Sequence, residues 1–218
     1  MHIACLGDSN TYGYDPASPF GGRYPYEIRW TGRLENEGVG VTNHGYNGLP
    51  ASRRSLHEMF AQDLKREGPF DLVTLMLGTN DILLGSSAYE AAEDVEHLLQ
   101  TLKKASVSPI LLIAPPPLVP GFWVESREQI ERSQVLAGEL RTVSERQGVR
   151  FADAGLWGIQ LAYDGVHFSE EGHRIFAEKL LEKILRFAQD DRPDAQDDRP
   201  DAQDDRPDAQ DDKVGCSG

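Results

Sequence analysis

The residues best suited to chemistry in this chain are a serine near its start and an aspartate–histidine pair far beyond it. They are Ser9, Asp164 and His167. A serine hydroxyl becomes an effective nucleophile when a base takes its proton, and histidine is the usual base near neutral pH. A carboxylate can orient that imidazole and stabilise its cation. Together, these residue types favour nucleophilic acyl transfer from an ester.

Hydrogen-bond donors for a developing negative charge are also present. Acyl transfer passes through a tetrahedral oxyanion, which needs fixed donors. A glycine turn at Gly48 lets backbone N–H groups approach closely, and Asn80 offers a side-chain amide. Each residue alone also has a purely structural explanation, since Ser9 could cap a helix and Gly48 or Asn80 could shape a turn. Their occurrence together supports the catalytic interpretation.

Each polar segment follows a short apolar run, which indicates how the chain brings these segments together. Near-continuous apolar runs are typical of strands covered on both faces, as in a parallel sheet. Five such runs occupy residues 3–6, 39–42, 71–77, 110–114 and 149–152, and helical patterns occupy 26–37, 52–66, 88–105, 125–146 and 169–187. This alternation predicts a doubly wound α/β domain, in which ligands bind beyond the carboxyl ends of the strands.

Four of these segments, in order, resemble the sequence blocks of the SGNH (GDSL-type) hydrolase superfamily. They are Gly7-Asp8-Ser9, the stretch ending in Asn47-Gly48, Gly78-Thr79-Asn80-Asp81 and Asp164-Gly165-Val166-His167. The resemblance implies that Ser9 is the nucleophile and that His167 and Asp164 complete its triad. It also implies an oxyanion hole made by the backbone N–H groups of Ser9 and Gly48 and the side chain of Asn80. The implied fold is a flavodoxin-like three-layer α/β/α sandwich with a five-stranded parallel sheet.

A narrower similarity concerns the arylesterase/acyltransferase branch. The segments that carry it are Arg29-Trp30-Thr31-Gly32, residues 115–118 and Asp153-Ala154-Gly155. It implies a serine esterase that hydrolyses, and in some members transfers, short acyl groups of aryl or simple alkyl esters through an acyl-enzyme, without a metal or organic cofactor. A carbohydrate O-acetylesterase or lysophospholipase on the same machinery stays open, as does a non-catalytic flavodoxin-like binding module.

Substrate contacts are expected from residues that neighbour these blocks. Asn10 directly follows the nucleophile, where the family usually has Leu, and Tyr14 lies just beyond it. Trp123 stands on the loop after the prolines, and Val166 lies inside the last block. We expect these four side chains to contact the ester.

Composition limits the partners and the setting of the protein. The 218 residues carry a formal net charge of −14, which argues against nucleic acid and anionic membranes as partners. The beginning of the chain does not resemble a signal peptide, no apolar run is long enough to insert in a membrane, and there are two cysteines. We therefore expect a cytoplasmic protein that binds a small ester, with homo-oligomers as in some members of the branch.

The C-terminal segment differs from the rest of the chain. From Ala188 a seven-residue unit recurs, and the segment holds eleven Asp against three Arg and one Lys. Such a sequence cannot bury enough apolar surface to offset the entropy of ordering. It predicts one hydrolase domain over residues 1–187 and a disordered acidic tail over 188–218.

Overall fold

The computed structural model describes residues 1–18 and 20–190, where five strands alternate with helices. The strands are β1 (His2–Gly7), β2 (Gly40–Gly45), β3 (Leu72–Met76), β4 (Ile110–Ala114) and β5 (Arg150–Asp153). The α-helices are α1 (Ser9–Tyr12), α2 (Trp30–Asn36), α3 (His57–Glu67), α4 (Thr79–Leu83), α5 (Ala88–Lys104), α6 (Arg127–Gln147) and α7 (Glu170–Asp190). Single 3₁₀ turns cover Arg54–Leu56 and Ala154–Leu156.

All five strands pair in parallel, in the order β2-β1-β3-β4-β5. The chain moves outward from β1 to β2 on one side and through β3, β4 and β5 on the other. This is the flavodoxin-like order, and its direction reverses between β1 and β3. Loops leave the carboxyl ends of β1 and β3 in opposite directions, so a crevice opens between them. The structure thus confirms the predicted flavodoxin-like parallel sheet.

Helices cover both faces of the sheet, because successive side chains of a strand point to opposite faces. On one face, strand residues pack against α3, α5 and α6, and they include Ala4, Leu6, Val73, Leu75 and Leu112. On the other face, they pack against α2 and α7, and they include Ile3, Cys5, Leu72, Leu111 and Ile113. The apolar runs of β1, β3 and β4 therefore reflect strands that are buried on both sides, as expected for the centre of a three-layer sandwich.

Several element boundaries differ from the predicted ones. The expected helix over 52–66 begins as α-helix only at His57, because the backbone N–H groups of Ala51 and Ser52 donate to the Asp81 carboxylate and hold that stretch as a loop. The expected helix over 26–37 begins only at Trp30. The short helices α1 and α4 have no apolar periodicity of their own, so the sequence pattern did not indicate them.

The end of the domain was predicted at Phe187, yet α7 reaches Asp190. The predicted disordered tail begins at Ala188. All of it from residue 191 to residue 218 lies outside the described residues.

Gly7 is the residue that brings the start of α1 against the end of β1. A Cβ at this position would lie 2.1 Å from the Thr11 Oγ1 atom and 2.9 Å from the Met76 carbonyl oxygen. Neither contact is sterically possible without a shift, so the tight approach of helix and strand requires glycine. This approach sets Ser9 directly over the crevice.

We expect Gly7→Ala to lower the free energy of unfolding by about 1–3 kcal/mol, because the added methyl group overpacks this junction. Gly138→Ala is the matched control, since Gly138 is an exposed residue of α6 whose added Cβ would meet no atom within 4 Å. That substitution should raise stability by about 0.4–1 kcal/mol. Urea unfolding followed by circular dichroism measures both. Equal effects of the two substitutions would contradict the steric explanation.

Candidate active site

Ser9, His167 and Asp164 form a continuous hydrogen-bonded chain. Ser9 is the first residue of α1, and the other two residues lie in the loop that precedes α7. The Ser9 Oγ atom is 2.9 Å from His167 Nε2, and His167 Nδ1 is 2.6 Å from Asp164 Oδ2. All three side chains are buried. This arrangement allows the imidazole to take the hydroxyl proton while the carboxylate accepts a hydrogen bond from Nδ1–H.

Asp164 is held as a carboxylate by its own loop. Its Oδ1 atom accepts hydrogen bonds from the backbone N–H groups of Val166 (2.9 Å) and His167 (3.0 Å). Burial raises the pKa of Asp164, but the hydrogen bonds from the His167 ring and from these two N–H groups outweigh burial and bring the pKa below its ordinary value. Asp164 is therefore ionised near neutral pH and can orient the imidazole.

The predicted oxyanion donors lie beside Ser9, in the wall of the same cavity. Gly48 adopts a left-handed backbone conformation (φ +67°) at the tip of the loop after β2. Asn80, in α4, donates through Nδ2 to the Leu49 carbonyl oxygen at 3.2 Å and to Asp8 Oδ2 at 3.4 Å. An incoming oxyanion would compete with these acceptors for an Asn80 N–H. The structure thus brings Gly48 and Asn80 to the nucleophile, as the sequence predicts.

A cavity of about 260 Å³ opens in front of the triad. Its lining residues are Ser9, Tyr14, Asn47, Gly48, Asn80, Leu83, Trp123, Val166 and His167. The Tyr14 ring centroid is 4.5 Å from that of His167, and the Trp123 ring meets the same imidazole edge-on at 6.2 Å. Tyr14, Trp123 and Val166 therefore lie where substrate contacts were predicted. Asn47 and Leu83 were not predicted to line the cavity. Asn47 stands inside a motif that carries the resemblance, which was the available signal, whereas nothing in the local sequence pattern distinguishes Leu83.

Asn10 occupies a different place from the predicted one. Its side chain is buried and does not line the cavity. The Asn10 amide instead forms hydrogen bonds with the backbone on both sides of His167. The structure therefore does not bring the Asn10 side chain to the cavity, where contact with the ester was expected, because its polar atoms are engaged with protein.

Two buried carboxylates behind the cavity were also not assigned from the sequence. Asp8 caps α1 by accepting a hydrogen bond from the Asn10 N–H at 2.9 Å. Asp81 accepts hydrogen bonds from the N–H groups of Ala51 (2.8 Å) and Ser52 (2.9 Å), which fixes the loop that follows Gly48. Both aspartates stand inside the motifs that carry the resemblance. Their position in those motifs was the available signal.

The loop that carries Trp123 is attached to the turn that carries Asp164. The Trp123 N–H donates to the Asp164 carbonyl oxygen at 3.0 Å, and the Val119 N–H donates to the Gly165 carbonyl oxygen at 3.1 Å. Gly121 lies so close that a Cβ there would be 2.2 Å from the Asp164 carbonyl carbon. The aromatic wall and the triad aspartate are therefore one packed unit.

Two further features concern residues 1–18 and 20–190 only. Within them, no group of three or more His, Cys, Asp or Glu side chains is arranged to hold a metal ion. No helix in the same part of the chain combines the length and the apolar character needed to cross a bilayer.

Residues 5–175 match the sequence model of the GDSL-like lipase/acylhydrolase family. This range covers most of the chain and contains every residue of the triad and of the predicted oxyanion hole. The chain belongs to the GDSL-like lipase/acylhydrolase family. Membership confirms the resemblance seen in the sequence and makes this GDSL-family protein a hydrolase of acyl esters. No curated protein sequence matched the chain.

Solved structures of esterases share the architecture of this GDSL-family protein. The carbohydrate acetylesterase Est24 from Sinorhizobium meliloti is 27% identical, with a TM-score of 0.72 over 85% of this chain and 99% of that one. The aryl esterase of M. smegmatis is 26% identical, with a TM-score of 0.75 over 85% and 98%. A putative arylesterase from Agrobacterium tumefaciens is 31% identical, with a TM-score of 0.72 over 85% and 98%.

Asp8→Asn should change how stability depends on pH. Burial raises the pKa of Asp8 from 3.8 to about 6, against the opposing effect of the Asn10 N–H hydrogen bond. Because the folded state keeps this proton to higher pH than the unfolded state, Asp8 lowers the free energy of unfolding as pH rises from about 4 to about 6. The Asn variant lacks this loss. Its stability relative to the wild type should therefore increase by about 3 kcal/mol across that interval.

Urea unfolding at a series of pH values from 4 to 7.5 (roughly the interval that spans both titrations) measures this difference. Asp153→Asn is the matched control, since Asp153 caps the turn at Ala154–Leu156 through a hydrogen bond from the Gly155 N–H. A relative stability of the Asp8 variant that does not vary with pH would contradict the prediction.

Proposed function

We propose that this GDSL-family protein is a serine esterase that hydrolyses short acyl esters of aryl or simple alkyl alcohols. Ser9 is the nucleophile, His167 is the general base and acid, and Asp164 orients His167. The observation that carries the proposal is the hydrogen-bonded chain from Ser9 through His167 to Asp164 at 2.9 and 2.6 Å. A buried imidazole–carboxylate pair at hydrogen-bond distance from a serine hydroxyl is the arrangement that activates that hydroxyl as a nucleophile.

In the first step, His167 Nε2 takes the Ser9 proton while Oγ bonds to the ester carbonyl carbon. The carbonyl π electrons move to oxygen, and the resulting oxyanion accepts hydrogen bonds from the Ser9 and Gly48 N–H groups and the Asn80 amide. The electrons return, the C–O bond to the alcohol breaks, and the imidazolium gives its proton to the departing oxygen. Asp164 stabilises the imidazolium while the charge lasts.

In the second step, water loses a proton to His167 and attacks the acyl-enzyme carbonyl, which regenerates the oxyanion in the same position. Collapse releases the acid and returns the proton from His167 to Ser9. An alcohol in place of water would give acyl transfer by the same sequence, which is the second activity we propose. The apolar rings of Tyr14 and Trp123 beside His167 limit how much water surrounds the reaction.

The size of the cavity supports a small acyl ester. At about 260 Å³, it lies just below the roughly 300–1,000 Å³ of pockets that enclose drug-sized ligands. Tyr14, Leu83, Trp123 and Val166 make its walls mostly apolar. A carbohydrate O-acetylesterase is the second candidate, because the acetyl group fits the same volume and the similar protein Est24 is a carbohydrate acetylesterase.

We expect Ser9→Ala to abolish hydrolysis of p-nitrophenyl acetate, and His167→Ala to reduce kcat by about 10⁴-fold or more. A fluorophosphonate should label the wild type on Ser9 and leave the Ser9 variant unlabelled, because labelling requires an activated hydroxyl. Ser55→Ala, at an exposed serine, is the control and should keep wild-type activity. Circular dichroism checks that each variant is folded. Wild-type turnover in the Ser9 variant would contradict the role of Ser9 as nucleophile. No labelling of the wild type would favour a non-catalytic flavodoxin-like binding module.

The acyl-length profile should fall from acetate or butyrate to octanoate, with kcat/KM lower by about tenfold or more for the long chain. Trp123→Ala should flatten the profile, because it removes part of the cavity wall. Trp157→Phe is the matched control, since Trp157 packs on Phe176 away from the cavity. Steady-state kinetics on p-nitrophenyl esters and on an acetylated sugar decide the substrate class. Faster turnover of the sugar ester than of the aryl acetate would favour the carbohydrate esterase.

A further inference from the structure

The buried side chain of Asn10 is hydrogen-bonded to the peptide segment that contains His167. Asn10 is 3% exposed, and both ends of its amide are engaged. Its Nδ2 donates to the Val166 carbonyl oxygen at 3.2 Å, and its Oδ1 accepts a hydrogen bond from the Phe168 N–H at 2.8 Å. These two backbone groups belong to the residues immediately before and after His167. Asn10 therefore fixes the backbone on both sides of the histidine.

The same two segments are joined by the hydrogen bond between Ser9 and His167. Asn10 follows Ser9 directly in α1, and its bond to Phe168 spans 158 positions of the chain. The side chain must supply one donor and one acceptor at once. An Asp supplies only acceptors when ionised, and a Leu supplies neither, so the amide is the chemical requirement at this position.

Asn10 is itself anchored to the core. Its backbone carbonyl oxygen accepts a hydrogen bond from the Trp30 indole Nε1–H at 2.9 Å. Trp30 is 1% exposed, and its ring lies 4.8 Å from that of Phe176 in α7. Asn10 thus connects α1, which carries Ser9, to the loop that carries His167 and to the packed layer of α2 and α7.

We propose that Asn10 is a positioning residue, which holds His167 at hydrogen-bond distance from Ser9. The inference rests on the proposed esterase function and adds a residue to its machinery. Removing the amide leaves a buried carbonyl and a buried N–H without partners, so the loop shifts to find others. A displacement of about 1 Å between reacting groups is enough to lower a rate by about a hundredfold.

The experiment compares Asn10→Leu with the matched control Asn43→Leu in the full chain. Asn43 also engages both ends of its amide. Its Nδ2 donates to the Thr11 carbonyl oxygen at 2.8 Å and to Thr31 Oγ1 at 3.3 Å, and its Oδ1 accepts from the Gly45 N–H at 2.8 Å. It does not touch the histidine loop. The readouts are kcat and KM for p-nitrophenyl acetate, the rate of fluorophosphonate labelling, and Tm.

We expect Asn10→Leu to lower kcat and the labelling rate by about a hundredfold, with KM changed by less than about threefold. Asn43→Leu should lower Tm while its labelling rate, measured well below Tm, stays within about threefold of the wild type. A labelling rate of Asn10→Leu equal to that of the wild type overturns the proposal. So does a change in KM or acyl-length preference without a loss of labelling, because that result makes Asn10 a substrate contact.

Asn10→Asp provides a second variant in case the leucine variant does not fold. It keeps an acceptor for the Phe168 N–H but sets a carboxylate oxygen against the Val166 carbonyl. These two oxygens repel each other and leave the loop without its second hydrogen bond, so kcat and the labelling rate of this variant should also fall, by about tenfold or more. Wild-type labelling of a folded Asn10→Asp variant overturns the proposal.

The wild type separates this inference from the proposed function. If the wild type is not labelled by the fluorophosphonate, the esterase proposal fails and the positioning role falls with it. If the wild type is labelled and Asn10→Leu is labelled at the same rate, only the positioning role fails.

Discussion

The hydrogen bond between Ser9 and His167 is the constraint that the rest of the structure serves. It joins two segments that lie 158 positions apart, and at 2.9 Å it leaves little tolerance for either to move. Ser9 is placed by the tight junction of β1 and α1 at Gly7. His167 is placed by the short loop before α7, whose backbone is held by Asp164 on one side and by Asn10 on the other. Parallel strands bring both segments to one edge of the sheet.

Three buried carboxylates also lie at this carboxyl edge of the sheet. Asp8, Asp81 and Asp164 are almost fully buried behind a single cavity. Isolated buried charges are unfavourable, yet each of these carboxylates accepts hydrogen bonds from backbone N–H groups. Asp8 and Asp164 accept them from residues two or three positions further along their own segments, whereas Asp81 accepts them from the loop that follows Gly48. Through these hydrogen bonds, the carboxylates stabilise the conformations of the loops that follow β1, β2 and β5. Asp8 and Asp164 also interact electrostatically with His167, which must become a cation during the reaction.

The sequence was sufficient for the fold because the three central strands, β1, β3 and β4, are buried on both faces and each ends within two residues of a glycine or proline. Runs such as Ile110–Ala114 are almost purely apolar, and the residues after each run carried the chemistry. Contacts between distant segments could not be read in the same way. The Asp81 carboxylate delays the start of α3, and the Asn10 amide turns away from the cavity, because each meets backbone groups far along the chain. The local sequence pattern does not reveal hydrogen-bond partners that lie so far along the chain.

The attachment of the Trp123 loop to the Asp164 turn limits how specificity can diverge in this protein. The Trp123 side chain faces the cavity, whereas its backbone N–H is bonded to the carbonyl oxygen of the triad aspartate. Exchange of that side chain can therefore alter the shape of the pocket and leave catalysis intact. Insertions or deletions between Val119 and Val124 would displace Asp164. Evolution of new substrates here should proceed by point substitution on a loop of constant length, and engineering of this wall should respect the same restriction.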